Sequence, residues 1–129
     1  SWYTGKDDKA ALKLSYSSDH GKSFNPVKDI HGQILDANHP DMVVIGKEAW
    51  VIFQGRDPNQ SGGWGREKAW LVRIKGDTNV SEPSPLPSTG GSVAYPYLVK
   101  GNGGRVYATW TEIGEEGPQV MLCRGRIHS

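Results

Sequence analysis

The sequence predicts an all-β protein, specifically a β-propeller fragment of about two and a half four-stranded antiparallel blades. Three observations carry that expectation. Two stretches run parallel: Asn38-His39-Pro40, an apolar run Met42–Ile45, a Gly-Lys-Glu turn and Ala49–Asp57 match Ala94-Tyr95-Pro96, Tyr97–Val99, a Gly-Asn-Gly-Gly turn and Arg105–Glu112. Their prolines, Pro40 and Pro96, lie 56 residues apart. A third partial copy appears at an offset of 108, where Trp2 matches Trp110, Asp7-Asp8 match Glu115-Glu116, and Leu12 and Leu14 match Val120 and Leu122. Finally, 17 Gly and 8 Pro punctuate the 129 residues, and no window sustains a 3.6-residue apolar period, so long helices are not expected. A repeat of roughly 50 residues made of short strands is the pattern of a propeller blade.

The strands follow in order. Trp2–Gly5 reads as the end of a strand. Ala10–Tyr16 places Leu12, Leu14 and Tyr16 on one face, as a half-buried strand does. A weaker strand is expected at Val27–Ile30, then Met42–Ile45, Ala49–Gln54 and Ala69–Ile74. Val80–Leu86 reads as an outer edge strand, because Pro83, Pro85 and Pro87 obstruct further pairing. The series restarts at Tyr97–Val99, Arg105–Trp110 and Val120–Arg124. These strands group into an incomplete blade over 1–36, a full blade over 37–88 and a blade lacking its outer strand over 89–129. Ala49, Val51 and Phe53 face opposite to Trp50 and Ile52, so this second strand is expected to be buried on both faces, between stacked sheets.

Composition narrows the partners. A net charge of +1 argues against a nucleic-acid partner, and no apolar run approaches membrane-spanning length. The single Cys123 excludes an internal disulfide and a cysteine-based metal site, and is expected to act as a small, partly buried hydrophobe. No metal and no cofactor are expected.

One local motif is sharper. Ser17-Ser18-Asp19-His20-Gly21-Lys22-Ser23-Phe24 carries Ser17, Asp19, Gly21, Ser23 and Phe24 in the pattern Ser-x-Asp-x-Gly-x-Ser/Thr-Trp/Phe. Asp19 can accept backbone N–H bonds within a turn, Gly21 permits positive φ, and Phe24 is expected to tuck under the hairpin. This motif resembles the Asp-box of the sialidase-like, or BNR-repeat, β-propellers, in which the box closes a hairpin and plays a structural role. The corresponding positions elsewhere, Lys75-Gly76-Asp77 and Gly125-Arg126, are degenerate. The resemblance implies a substrate site on the face opposite the box, near the axis. It would hold an arginine cluster for a carboxylate, a tyrosine–glutamate nucleophile pair and an acidic acid/base. It further implies a glycosidase-like chemistry, a sugar ligand and a secreted or periplasmic location, although no signal peptide is present.

Strand alternation gathers His39, Tyr95, Arg56, Asp57, Trp64, Arg66, Glu112, Glu115 and Glu116 on that opposite face. Glu112, Tyr95 and Arg56 are the catalytic candidates. Trp64, Arg56, Asp57, Arg66 and His39 are the substrate-binding candidates. Each has a structural alternative: Arg56 can pair with Asp57 on a rim, Tyr95 can pack at the start of an inner strand, and Glu112 can be an edge charge. His39 can likewise be structural, and Glu115-Glu116 and Asp7-Asp8 simply solvated. Trp64, flanked by glycines, can stack on a sugar or meet a protein. The family's arginine triad and its Phe/Tyr-Arg-Ile-Pro opening motif do not appear. The sequence therefore favours a non-catalytic carbohydrate-binding or interaction scaffold. The alternative is a fragment of an exo-sialidase-type glycoside hydrolase whose remaining catalytic residues lie elsewhere. Incomplete blades would leave open apolar flanks, to be covered by further blades or by copies of the chain.

Overall fold

The computed structural model describes residues 2–4, 11–15, 17, 19–24, 28–58, 67–76, 79–87, 92–114 and 117–126. Three antiparallel sheets form in chain order. The first runs β1 (Trp2–Thr4), β2 (Ala11–Leu14), β3 (Lys28–Asp29). The second runs β4 (Leu35–Ile45), β5 (Glu48–Arg56), β6 (Glu67–Lys75), with two short edge pieces, β7 (Asn79–Val80) and β8 (Ser84–Pro85), both paired to β6. The third runs β9 (Ser92–Lys100), β10 (Arg105–Gly114), β11 (Gly117–Arg126).

Every expected strand has a counterpart, but several boundaries move. The edge strand expected over 80–86 splits into β7 and β8, with Pro83 between them. The inner strands start early, at Leu35 and Ser92 where the apolar runs suggest Met42 and Tyr97. The extra residues are irregular: the β4–β5 register shifts between Leu35 and Asp41, and the β9–β10 register shifts opposite Thr109–Thr111. Polar and bulged positions hide a strand from a reading based on apolar runs. Leu35 and Asp36, grouped by sequence with the first 36 residues, are part of β4.

Two apolar layers hold the sheets together. Leu12, Ile30, Ile34 and Ala37 pack with Val51, Phe53, Trp70, Val72 and Ile74 between the first and second sheets. Trp50, Ile52 and Ala69 pack with Val93, Leu98, Val106, Ala108 and Trp110 between the second and third. Successive residues of β5 thus enter opposite layers, and the segment from Trp50 to Gly55 is buried throughout. Gly55 is required by close approach: a Cβ there would lie 2.5 Å from Ile34 Cγ2 and 3.0 Å from the Leu35 carbonyl. At the far end of β5, Glu48 accepts from the Trp50 indole N–H at 2.9 Å and from Arg73 Nε at 2.5 Å. The Arg73 guanidinium lies over the Trp50 ring at 4.9 Å and holds the Glu48 carboxyl below its usual range.

The β2–β3 hairpin carries the Ser17–Phe24 motif. Ser23 N–H donates to Asp19 Oδ1 at 2.9 Å, Ser23 Oγ to Asp19 Oδ2 at 2.5 Å and Ser17 Oγ to Asp19 Oδ1 at 2.7 Å. Gly21 N–H donates to Ser17 Oγ at 2.8 Å, and Gly21 adopts φ 90°. Phe24 departs from expectation: its ring is 66% exposed and not tucked beneath the turn. The carboxylate and two hydroxyls bridge the turn from residue 17 to residue 23 without help from the ring.

Candidate functional site

The ladders bring one end of the second and third sheets together. Leu35 pairs with Arg56 and Arg56 with Glu67, so the start of β4, the end of β5 and the start of β6 share an end. Ser92 pairs with Ile113, and Gly114 with Gly117, which defines the matching end of the third sheet. Side chains join the two. Gln54 Oε1 accepts the Tyr95 backbone N–H at 3.0 Å, and Asp41 Oδ2 accepts the Leu98 N–H at 2.8 Å.

At this end the backbone is strained. His39 and Tyr95 both adopt positive φ, 52° and 54°, and each precedes a proline. A residue before proline normally stays extended, and non-glycine residues avoid this region, so both positions are held by their surroundings. The strain at these repeat-related positions turns the two rings toward each other. His39 and Tyr95 meet edge to face with centroids 5.4 Å apart. Asp36, at φ 52°, adds a third strained residue.

A polar group supports the ring pair. Gln54 Nε2 donates to Glu67 Oε2, and Asn38 Nδ2 donates to the Asp36 carbonyl at 2.7 Å. Asn38 Oδ1 lies 2.5 Å from His39 Nδ1. Burial pushes the Glu67 carboxyl above its ordinary value, and the negative charge of Asp36 adds to the shift. The amide bond from Gln54 opposes it. Gln54 is therefore a bridge, with its amide N–H on the carboxyl of Glu67 and its carbonyl on the backbone of the next sheet.

The candidates read from sequence divide three ways. His39 and Tyr95 come into contact and are exposed. Arg56 and Asp57 lie at the end of β5, half-buried, and each already has a partner. Glu112 sits beside Val93 in the β9–β10 ladder, is 3% exposed and also has a partner. Trp64, Arg66, Glu115, Glu116, Asp7 and Asp8 lie outside the described residues, as does the side chain of Cys123. Gln54, Asp41, Glu67 and Asn38 were not singled out by sequence. Gln54 left a signal: a lone amide in the otherwise apolar run from Ala49 to Phe53 demands a buried hydrogen-bond partner. The repeated residue-before-proline at His39 and Tyr95 was a second.

Among the described residues no group of three or more His, Cys, Asp or Glu could hold a metal ion. No helix among them is long and apolar enough to cross a membrane. Comparison with protein-family models, curated proteins and solved structures yields no match. Geometry and chemistry alone therefore carry the functional reading.

Proposed function

We propose that this chain is a partial β-propeller of the sialidase-like kind and acts as a non-catalytic carbohydrate-binding scaffold. The observation that carries the reading is the exposed Tyr95–His39 ring pair, set beside Asn38, Gln54 and Glu67 where two sheets meet. A sugar offers apolar C–H faces and a rim of hydroxyls. An exposed aromatic ring takes the first, while the half-buried Asn38 amide and Glu67 carboxyl, the latter fixed in place by the buried Gln54, take the second. Three stacked antiparallel meanders, the repeat of 56 residues and the Asp19-centred hairpin support the propeller assignment.

The buried, partnered state of Glu112 favours binding over hydrolysis. A glycosidase opposes its two carboxyl groups, or a tyrosine and a carboxyl, across one sugar at separations of roughly 5 Å in retaining enzymes. Glu112 is instead turned into the layer between the sheets, next to Val93.

Amide and side-chain NMR shifts during titration with a sialylated and a neutral oligosaccharide test the proposal. The expected result is weak saturable binding of one of them, with shifts centred on His39 and Tyr95 and loss on Tyr95→Ala. Flat titrations with both sugars would sink it. No turnover of a fluorogenic sialoside is expected. Saturable hydrolysis abolished by Glu112→Gln would replace the scaffold by an enzyme.

A further inference from the structure

The end of the second and third sheets that carries the Tyr95–His39 rings has a sign of charge. Asp36 of β4, Asp57 after β5 and Glu67 of β6 place carboxyls there. The described cations at this end are Arg56, Lys68 and His39. Lys68 follows Glu67 and so lies on the other face of β6. Arg56 already has a partner. β9 carries no charge from Ser92 to Val99, and Glu112 of β10 is buried with a partner of its own.

Two of these carboxyls act on one another. Arg56 lies opposite both Leu35 and Glu67 in the ladders, so Asp36 enters the site one residue beyond that pairing. Burial holds the Glu67 carboxyl up, the bond from Gln54 opposes the rise, and the negative charge of Asp36 adds to it. Two carboxyls that repel each other beside an exposed aromatic ring leave a place for one positive charge. A cation there relieves the repulsion and meets the electron-rich face of the ring.

We infer, resting on the sugar-binding reading of this site, that its sugar is an amino sugar in the ammonium form. Glu67 and Asp36 take the ammonium group, and Tyr95 takes the sugar face. Tyr95 is 57% exposed and held at its backbone by Gln54, so its ring is available and fixed in position. An ammonium group offers three donors and no acceptor, which matches two carboxyls.

The same charges act against an acidic sugar. A sugar carboxylate brought to the Tyr95 ring meets Glu67 and Asp36 as like charges, and Arg56 is already engaged. A neutral N-acetylated sugar meets neither attraction nor repulsion. Glu67 is half-buried, so its charge is screened less than one in open water.

NMR titration of the whole chain with a glucosamine trimer, its neutral N-acetylated form and a sialylated trisaccharide tests the inference. The glucosamine trimer is expected to bind about five- to tenfold more tightly than the N-acetylated form, the gain that an ion pair with a cation–π contact supplies. The sialylated sugar is expected to bind most weakly. The preference is expected to peak where the amine is protonated and Glu67 ionised, and to fall on either side; protonation of His39 adds to the fall in acid. Glu67→Gln still accepts the Gln54 amide and is expected to bring the two affinities to within about twofold of each other. Asp36→Asn repeats the test if Glu67→Gln perturbs the fold by circular dichroism, because asparagine tolerates the positive φ of that position. Equal or tighter binding of the N-acetylated or sialylated sugar at His39 and Tyr95 overturns the inference and leaves the sugar-binding reading standing. A glucosamine preference that survives both substitutions, or shifts centred elsewhere, overturns it as well. Flat titrations with all three sugars overturn both.

Discussion

The second and third sheets are two copies of one design in different settings. Both place a strained residue before a proline on the inner strand, at His39 and at Tyr95, and both run through the same antiparallel order. Yet β5 is buried from Trp50 to Gly55, while β10 alternates between buried and half-exposed residues. The sequences already differ in the required way: Trp50-Val51-Ile52-Phe53 is apolar throughout, whereas Val106-Tyr107-Ala108-Thr109 places a hydroxyl at every second position. Burial on both faces is thus a property of neighbours as well as of the strand. The polar link differs too. Gln54, opposite Asn38, reaches across to the next sheet; at the matching register the third sheet has Thr111, opposite Ala94, and the adjacent Trp110 buries an indole N–H with no acceptor among the described residues.

The largest expected effect tests this contrast directly. Phe53 is fully buried between the first and second sheets, so Phe53→Ala is expected to cost about 3–5 kcal/mol, enough to unfold a marginal domain. Leu122→Ala, on the open face of the third sheet, is expected to stay within about 0.5 kcal/mol. Urea denaturation of both variants measures the difference. Comparable losses would mean that the two sheets are covered alike.

Next comes the crossing of β4 over β5. Gly55→Ala drives a methyl into Ile34 and the Leu35 carbonyl, and the backbone must yield. A loss of about 2–3 kcal/mol is expected from this overpacking. The exposed turn at Gly114 has nothing within 4 Å of an added Cβ, so Gly114→Ala serves as the control. Equal midpoints for the two variants would remove the close approach from the account.

The clamp between the sheets is smaller again. Gln54→Leu keeps the bulk but strips the acceptor from the Tyr95 N–H and the donor from Glu67. The expected cost is about 1–2 kcal/mol. Hydrogen exchange at the Tyr95 amide is expected to quicken more than at Leu98, which Asp41 still holds. Uniform acceleration along β9 would show that Gln54 acts through general packing and not through its own bond.

The all-β class, the repeat and the strand centres were legible because alternation and turn residues report directly on local geometry. Strand ends were not. Asp36, Asn38 and His39 look like loop residues, and only their irregular pairing with β5 places them in a strand. The site was half legible. The repeat brought His39 and Tyr95 to one face, but their contact depends on backbone strain that no propensity encodes. Gln54 and Glu67 matter through long-range bonds. Phe24 failed because its burial was inferred from a motif, and burial depends on what the tertiary structure places over a ring.

The smallest effect extends the contrast between covered and open regions to two carboxyls. Asp19 lies on the open β2–β3 hairpin, and hydrogen bonds from Ser23 and then Ser17 lower its pKa from an ordinary 3.8 to about 2. Glu67, half-buried where two sheets meet, moves the other way because burial disfavours its charge. The signs on stability are opposite. A lowered pKa means that folding favours the ionised Asp19. That contribution is complete above the unfolded value near 4 and fades as pH falls through about 2. A raised pKa means that ionised Glu67 opposes folding, so acidification through its folded value relieves the fold, and the relief is complete below its unfolded value. Carboxyl carbon shifts in an NMR titration separate the two. Ser23→Ala removes the largest cause acting on Asp19 and is expected to bring its midpoint back toward 3.8, with Glu67 unmoved. An Asp19 midpoint that stays near 2 in this variant would mean that Ser23 is not what holds the charge on the hairpin.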